Sequence, residues 1–305
     1  MQRQKRDLKA VQMGMCLLAM GSLPSCQTHG HSSPVEESKA PTGPDNPSPD
    51  SVPACANKGY TPEEYAKAVK AYLARREAER EANKDKPPEP VVPPDEPRQL
   101  RDDAMPKHEC FKQLAARGDI DLLFVGDSIT DFFGRSDRGQ AIWLNYYGDM
   151  KAANFGISGD RTQDLLWRFE DGELDGFAAK VIVLMIGTNN IGRNETSEIP
   201  GGIEAIVREI RERQPQAKLL LLGIFPRGGP EDDGRIAVNE INAEIAGLED
   251  GEHVFFKDIG DVFLDDNGEQ IPEAWADPVH PATPGYKLWA EAIDADIQRL
   301  MRMAE

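Results

Sequence analysis

The sequence predicts an α/β fold: a three-layer α/β/α sandwich around a central parallel sheet of about five strands. Two observations carry that prediction. Apolar runs recur at 120–125 (IDLLFV), 151–155 (KAANF), 181–186 (VIVLMI), 218–225 (KLLLLGIF) and 253–257 (HVFFK). Amphipathic helical patterns alternate with them near 136–148, 161–170, 200–214 and 236–248, and a last helix runs from about 283 to 303. Near-continuous apolar strands alternating with helices belong to parallel sheets covered on both faces. Ligands of such sheets gather outside the carboxyl ends of the strands, so the residues after each run are where chemistry is expected.

Those ends carry an unusual inventory. Gly126-Asp127-Ser128 follows the first run, and the loop NFGISGDRT, with Gly156 and Gly159, follows the second. GTNN, residues 187–190, follows the third, and DPVHPATPGY precedes the last helix with Asp277 and His280. Taken singly, each has an ordinary explanation: a turn capped by Ser128 or Thr130, a βα turn, a loop, a helix entry. Taken in order at successive strand ends, they suit acyl transfer. A serine hydroxyl needs a neutral imidazole to take its proton, and the imidazole needs a carboxylate to fix its tautomer. The tetrahedral oxyanion needs preorganised donors, which the Gly159 and Ser128 N–H groups and the Asn189 amide can supply. His29 and His31 lie in a polar tether, His108 precedes the first strand and His253 starts the fifth, which leaves His280 as the base.

GDSIT, GISGD, GTNN and DPVH resemble, in order, the four signature blocks of the SGNH (GDSL-type) hydrolases. The resemblance implies a flavodoxin-like fold over 99–305 and an enzyme of the carboxylic ester hydrolase class. It implies Ser128, Asp277 and His280 as catalytic residues, with Ser128, Gly159 and Asn189 forming the oxyanion hole. Within the family, the stretches FGI, GD, WR, GTNN and RQPQAK are similar to the catalytic subunits of platelet-activating-factor acetylhydrolase Ib. In those relatives the residues after the nucleophile and before the histidine line the acyl pocket. The corresponding Ile129 and Val279 are bulky and suit acetyl or another short acyl group. Asp127 and Asp160 are expected to hold loops. Trp167, Arg168 and Trp275 are expected in the core rather than on a substrate rim.

The remaining chain divides by composition. Residues 1–26 read as a signal: a basic start, the short apolar core VQMGMCLLAMG, and Leu23-Pro24-Ser25-Cys26, which resembles a lipoprotein lipobox with Cys26 lipidated. Residues 27–60, rich in Pro, Ser and Gly, read as a disordered tether. Residues 61–98 read as a helix started by Thr61 and Pro62, then a Pro-rich spacer. Cys55 and Cys110 are a candidate disulfide in an oxidising compartment. The net charge is −18, and it sits entirely in 99–305, where 21 Lys/Arg face 39 Asp/Glu. Such a surface repels nucleic acid.

The expected protein is therefore an exported esterase, periplasmic or at the cell surface, held to a bacterial membrane by its N-terminal lipid. A small-molecule or glycan ester would be its substrate, with no cofactor and no metal, and a homodimer is one possible assembly. A carbohydrate acetylesterase is favoured over a lysophospholipase-like or platelet-activating-factor-acetylhydrolase-like lipid esterase. Four rival readings are weighed. GxSxG is absent, which argues against the α/β-hydrolase fold. GISGD lacks GxGxxG, which argues against a dinucleotide site. A metal phosphoesterase could recruit Asp127, Asn189, Asp277 and His280, and a tethered binding protein would use none of them catalytically.

Overall fold

A computed structural model describes residues 91–304. The expected signal, tether and helix, with Cys26 and Cys55, lie outside the described residues. Five parallel strands form one sheet in the order β2-β1-β3-β4-β5: β1 (Leu122–Gly126), β2 (Ala152–Gly156), β3 (Val181–Met185), β4 (Lys218–Leu222) and β5 (Val254–Lys257). The predicted sheet is borne out in strand number, sequence position and parallel pairing. Seven α-helices complete the described residues: α1 (Met105–Ala115), α2 (Ser128–Phe133), α3 (Gln140–Tyr147), α4 (Thr162–Glu170), α5 (Ile199–Arg213), α6 (Asp233–Ile245) and α7 (Thr283–Met303).

The layers follow from side-chain alternation. Successive residues of a strand point to opposite faces, so Leu123, Val125, Ile182 and Leu184 join α1, α4, α5 and α6 in one core. Leu122, Phe124, Val181 and Val183 join α2, α3 and α7 in the other. Burial of β1 on both faces explains why its sequence is apolar without a period of two. The second core is aromatic. Phe133 lies 4.8 Å from the rings of both Tyr286 and Trp289. Truncating such a ring typically costs about 3–5 kcal/mol, so this contact anchors the short helix α2.

Register brings the strand ends to one edge. Gly126 is level with Gly156 of β2 and Met185 of β3, and the Ile157 N–H donates to the Gly126 carbonyl at 3.1 Å. A Cβ on Gly156 would lie 2.2 Å from the Asp131 nitrogen, so only glycine lets α2 sit on the end of β2. The sequence order reverses around β1 and β3, the switch point where ligands bind in this topology.

Three local details depart from the sequence reading. Helix α1 was not anticipated; it follows an extended strap, 91–104, which the sequence had placed largely in the spacer. The Val92 carbonyl accepts from Gln163 Nε2 (2.9 Å) and Asn194 Nδ2 (3.1 Å), and the Arg98 N–H donates to the Gln163 carbonyl (2.9 Å). The folded unit therefore begins before residue 99, because these amides pair with strap backbone that composition alone marks as solvated. Cys110 in α1 is disulfide-bonded. The helix of residues 128–133 is capped neither by Ser128 nor by Thr130: the Asp127 carboxylate accepts from the Ile129 N–H at 2.9 Å.

Candidate active site

Because Asp127 caps α2, the Ser128 hydroxyl is released from backbone duty at the first turn of the helix. Ser128 Oγ lies 2.9 Å from His280 Nε2, across 152 residues of sequence. His280 Nδ1 is 2.8 Å from Asp277 Oδ2 and 3.0 Å from Oδ1. The Asp277 Oδ1 also accepts the N–H groups of Val279 and His280, each at 2.9 Å. Burial acts to raise the Asp277 carboxyl, but those two N–H groups and the imidazole outweigh it and hold it below the usual carboxylate value. An ionised carboxylate fixes the imidazole with Nδ1 protonated, which leaves Nε2 as the acceptor facing the hydroxyl.

The loop bearing Asp277 and His280 is tied at its base. Ala276 N–H donates to the His280 carbonyl (2.9 Å), Ala282 N–H to the Ala274 carbonyl (2.8 Å), and Trp275 Nε1 to the Phe263 carbonyl (3.3 Å). Trp275 is 9% exposed and belongs to the core. Phe132 lies 5.0 Å from the His280 ring, and the Arg135 guanidinium covers the Phe132 ring at 4.3 Å. Sequence reading missed Phe132; its place in the turn after Ser128 was the only signal.

Gly159 and Asn189 follow β2 and β3, the two neighbours of β1. Gly159 has φ +85°, a conformation other residues rarely adopt. Its N–H has no acceptor among the described residues. The Asn189 amide donates to the Asp160 carbonyl at 2.9 Å, which orients the group and leaves its second N–H. The adjacent Asn190 is fully buried and bridges the loops through Thr162, Gln163 and Asn194. Ile129 is buried to 1% exposure in the aromatic core, and Val279 packs against that same core.

Two buried aspartates frame this edge. Burial pushes the Asp127 carboxyl up to about 7, against the pull of the Ile129 N–H. Asp160 bonds Arg168 Nη1 at 2.8 Å. Arg168 is fully buried and also donates to Glu173 (2.8 Å from Nε) and to the Phe155 carbonyl (2.5 Å), so it is no part of a substrate rim. His108, Glu109 and Asp171 lie within metal-binding reach of one another. The donor set does not suit a cation. His108 Nδ1 faces Glu173 at 2.6 Å, Nε2 faces Asp171 at 2.9 Å, and Lys112 Nζ holds Asp171 at 2.7 Å. Burial alone would lower this imidazole, yet the two carboxylates outweigh it and raise it, so both nitrogens serve as donors. The four residues a metal phosphoesterase would recruit are also otherwise engaged: Asp127 caps α2, Asn189 donates to the Asp160 carbonyl, and Asp277 and His280 bond each other.

A doubly covered parallel sheet with a hydroxyl, an imidazole and a carboxylate in line at its carboxyl edge defines a hydrolase of the carboxylic ester type. The chain belongs to the GDSL-like lipase/acylhydrolase family, which matches residues 124–288. It is 32% identical over 198 residues to the human platelet-activating factor acetylhydrolase IB subunit alpha1, covering 65% of this chain and 84% of that protein. It is 44% identical over 124 residues to the alpha2 subunit of Rattus norvegicus, covering 41% and 52%. The fold is similar to a GDSL-like lipase from Bacteroides thetaiotaomicron, with TM-score 0.52 and 18% identity over 63% of this chain and 97% of that one.

Proposed function

We propose that the protein is a serine esterase that removes acetyl or other short acyl groups. The observation that carries it is the continuous line from Ser128 Oγ through His280 Nε2 and Nδ1 to Asp277 Oδ2, with contacts of 2.9 Å and 2.8 Å. His280 takes the Ser128 proton as Oγ attacks the ester carbonyl. The Gly159 and Ser128 N–H groups and the Asn189 amide receive the oxyanion, and each such donor is typically worth on the order of 10²–10³ in rate. As the tetrahedral intermediate collapses, His280 returns the proton to the departing alkoxide and the acyl group stays on Ser128. A water then gives its proton to His280 and attacks the acyl carbon, and His280 passes that proton to Ser128 Oγ as the second tetrahedral intermediate collapses, releasing the acid and regenerating the hydroxyl. Val279, half-buried beside His280, bounds the acyl end and favours a short chain, whereas Ile129 is enclosed in the aromatic core and supports that wall only from behind.

Carbohydrate esters are the proposed natural substrates, on the ground that the lipobox-like segment ending at Cys26 supports export and anchoring at a bacterial membrane, where glycans abound. A lipid ester is the second reading, favoured by the likeness to the platelet-activating factor acetylhydrolase subunits. Release of acetate from acetylated sugars, acetylated xylan and acetyl ether phospholipids, measured side by side, separates the two. Labelling of Ser128 by a fluorophosphonate and hydrolysis of p-nitrophenyl acetate are expected. Absence of both in the folded protein would leave a tethered binding protein instead. Octanoyl esters cleaved several-fold faster than acetyl esters would refute the short-chain assignment.

A further inference from the structure

Gly159 needs help to stay where the proposed chemistry requires it. Its backbone is left-handed, and it sits in a loop between β2 and α4, so its N–H direction depends on what fixes the peptides on either side. The peptide that follows is held by backbone, its Asp160 N–H donating to the Ile157 carbonyl at 3.2 Å; the peptide that precedes is held by a side chain. Arg101 Nη2 donates to the Ser158 carbonyl at 2.8 Å, and Arg101 Nη1 lies 3.6 Å from Asp160 Oδ1. The guanidinium also lies over Gly159 itself: a Cβ there would sit 3.5 Å from Nη1. From within the core, Arg168 holds the other Asp160 oxygen at 2.8 Å, and the Asp160 carbonyl takes the Asn189 amide at 2.9 Å. Asp160 thus joins Gly159 to Asn189, with one carboxylate oxygen hydrogen-bonded to Arg168 and the other facing Arg101 as an ion pair beyond hydrogen-bond reach. Ser158 Oγ adds a bond to Asp131 Oδ2 at 2.7 Å, which ties the loop to the helix bearing Ser128.

We propose that Arg101, from the strap outside the family-matched residues 124–288, is a positioning residue of the oxyanion hole. It acts through Ser158 and Asp160, aiming the Gly159 N–H and the Asn189 amide at the developing oxyanion; it touches no reacting atom. A planar fork with two donors suits a carbonyl and a carboxylate together, which a lysine ammonium meets only one at a time. The Arg101 side chain is one-third exposed, so its loss leaves the core and the Arg168 grip intact. The inference rests on the esterase reading above.

The test is steady-state hydrolysis of p-nitrophenyl acetate by the full chain and by Arg101→Met and Arg101→Lys. Misplacement of a reacting group by about 1 Å costs on the order of 10²-fold. Arg101→Met is therefore expected to lose about 10- to 100-fold in kcat with KM changed less than about threefold, because the oxyanion exists only in the transition state. Arg101→Lys should fall between. Fluorophosphonate labelling of Ser128 should persist in both variants. A kcat of Arg101→Met within twofold of wild type, or a loss expressed in KM alone, overturns the proposal. Should Arg101→Met not fold, Arg101→Lys decides: a reduced kcat supports the clamp and an unchanged kcat refutes it. A wild type that is neither labelled nor active refutes the esterase reading instead, which keeps the two failures apart.

Discussion

The two halves of the candidate site are built differently. Ser128, Gly159 and Asn189 lie at the ends of three adjacent strands; Ser128 is 6% exposed, Asn189 half-buried and Gly159 exposed, and the loops of the last two are tied together through Asp160 and Asn190. Asp277 and His280 come from a loop near the far end of the chain, and their side chains are 44% and 25% exposed. The difference assigns labour. In the proposed reaction the nucleophile and the oxyanion donors must not move, and they stand just beyond the strand ends, where hydrogen bonds through Asp160 and Asn190 limit reorganisation. In the proposed reaction His280 exchanges protons with alcohol and water and Asp277 orients it, and both stand at the solvent edge, where water reaches them.

The contrast can be broken at four positions. Ser128→Ala is expected to lower kcat for p-nitrophenyl acetate by at least about 10⁴-fold, with the fold kept because only an oxygen is lost; retention of more than a per cent of activity would remove Ser128 from the chemistry. Asn189→Ala is expected to cost about 10²–10³ in kcat, read from the same assay, with little change in KM. Asp277→Asn should cost about 10²-fold, less than the roughly 10⁴ of a fully buried triad aspartate, because solvent screens it and the amide oxygen still accepts from Val279 and His280. A loss as deep as that of Ser128→Ala would show that the Asp277–His280 loop is as preorganised as the strand ends.

The smallest effect is on stability. The Asp127 carboxyl ionises at about 7 in the fold and near its ordinary value, about 3.9, when unfolded. Between those values the native state binds more protons, so stability falls as pH rises through that window and levels off above it. Asp127→Asn keeps the acceptor that caps α2 and removes the charge. Its midpoint of thermal unfolding should therefore gain on wild type from pH 4.5 to pH 8. A difference that does not vary with pH would show that Asp127 carries no buried charge.

Most of the fold was legible because its signals are local. Five apolar runs and their intervening amphipathic segments needed only the periods of strand and helix, and the element bounds moved by a few residues at most. The strap at 91–104 was not legible. Val92, Arg98 and Arg101 bond partners 71, 66 and 57 residues away, and a Pro-rich composition looks the same whether its carbonyls meet water or buried amides. Arg168 was expected in the core, yet nothing nearby in sequence names Asp160 and Glu173 as its charge partners. Ile129 stands beside Ser128 as expected, but its burial in the aromatic core depends on Phe133, Tyr286 and Trp289 meeting there.

By itself the sequence determined the alternating α/β order, the family and the kinds of group that stand after each strand, since backbone period and motif chemistry are properties of neighbours along the chain. Tertiary structure alone decided that Asp127 rather than Ser128 caps the helix, that Nε2 of His280 comes within 2.9 Å of a hydroxyl 152 residues distant, and that Arg101 lies over Gly159. Those are distances between segments brought together by burial of the sheet, and no local rule encodes them.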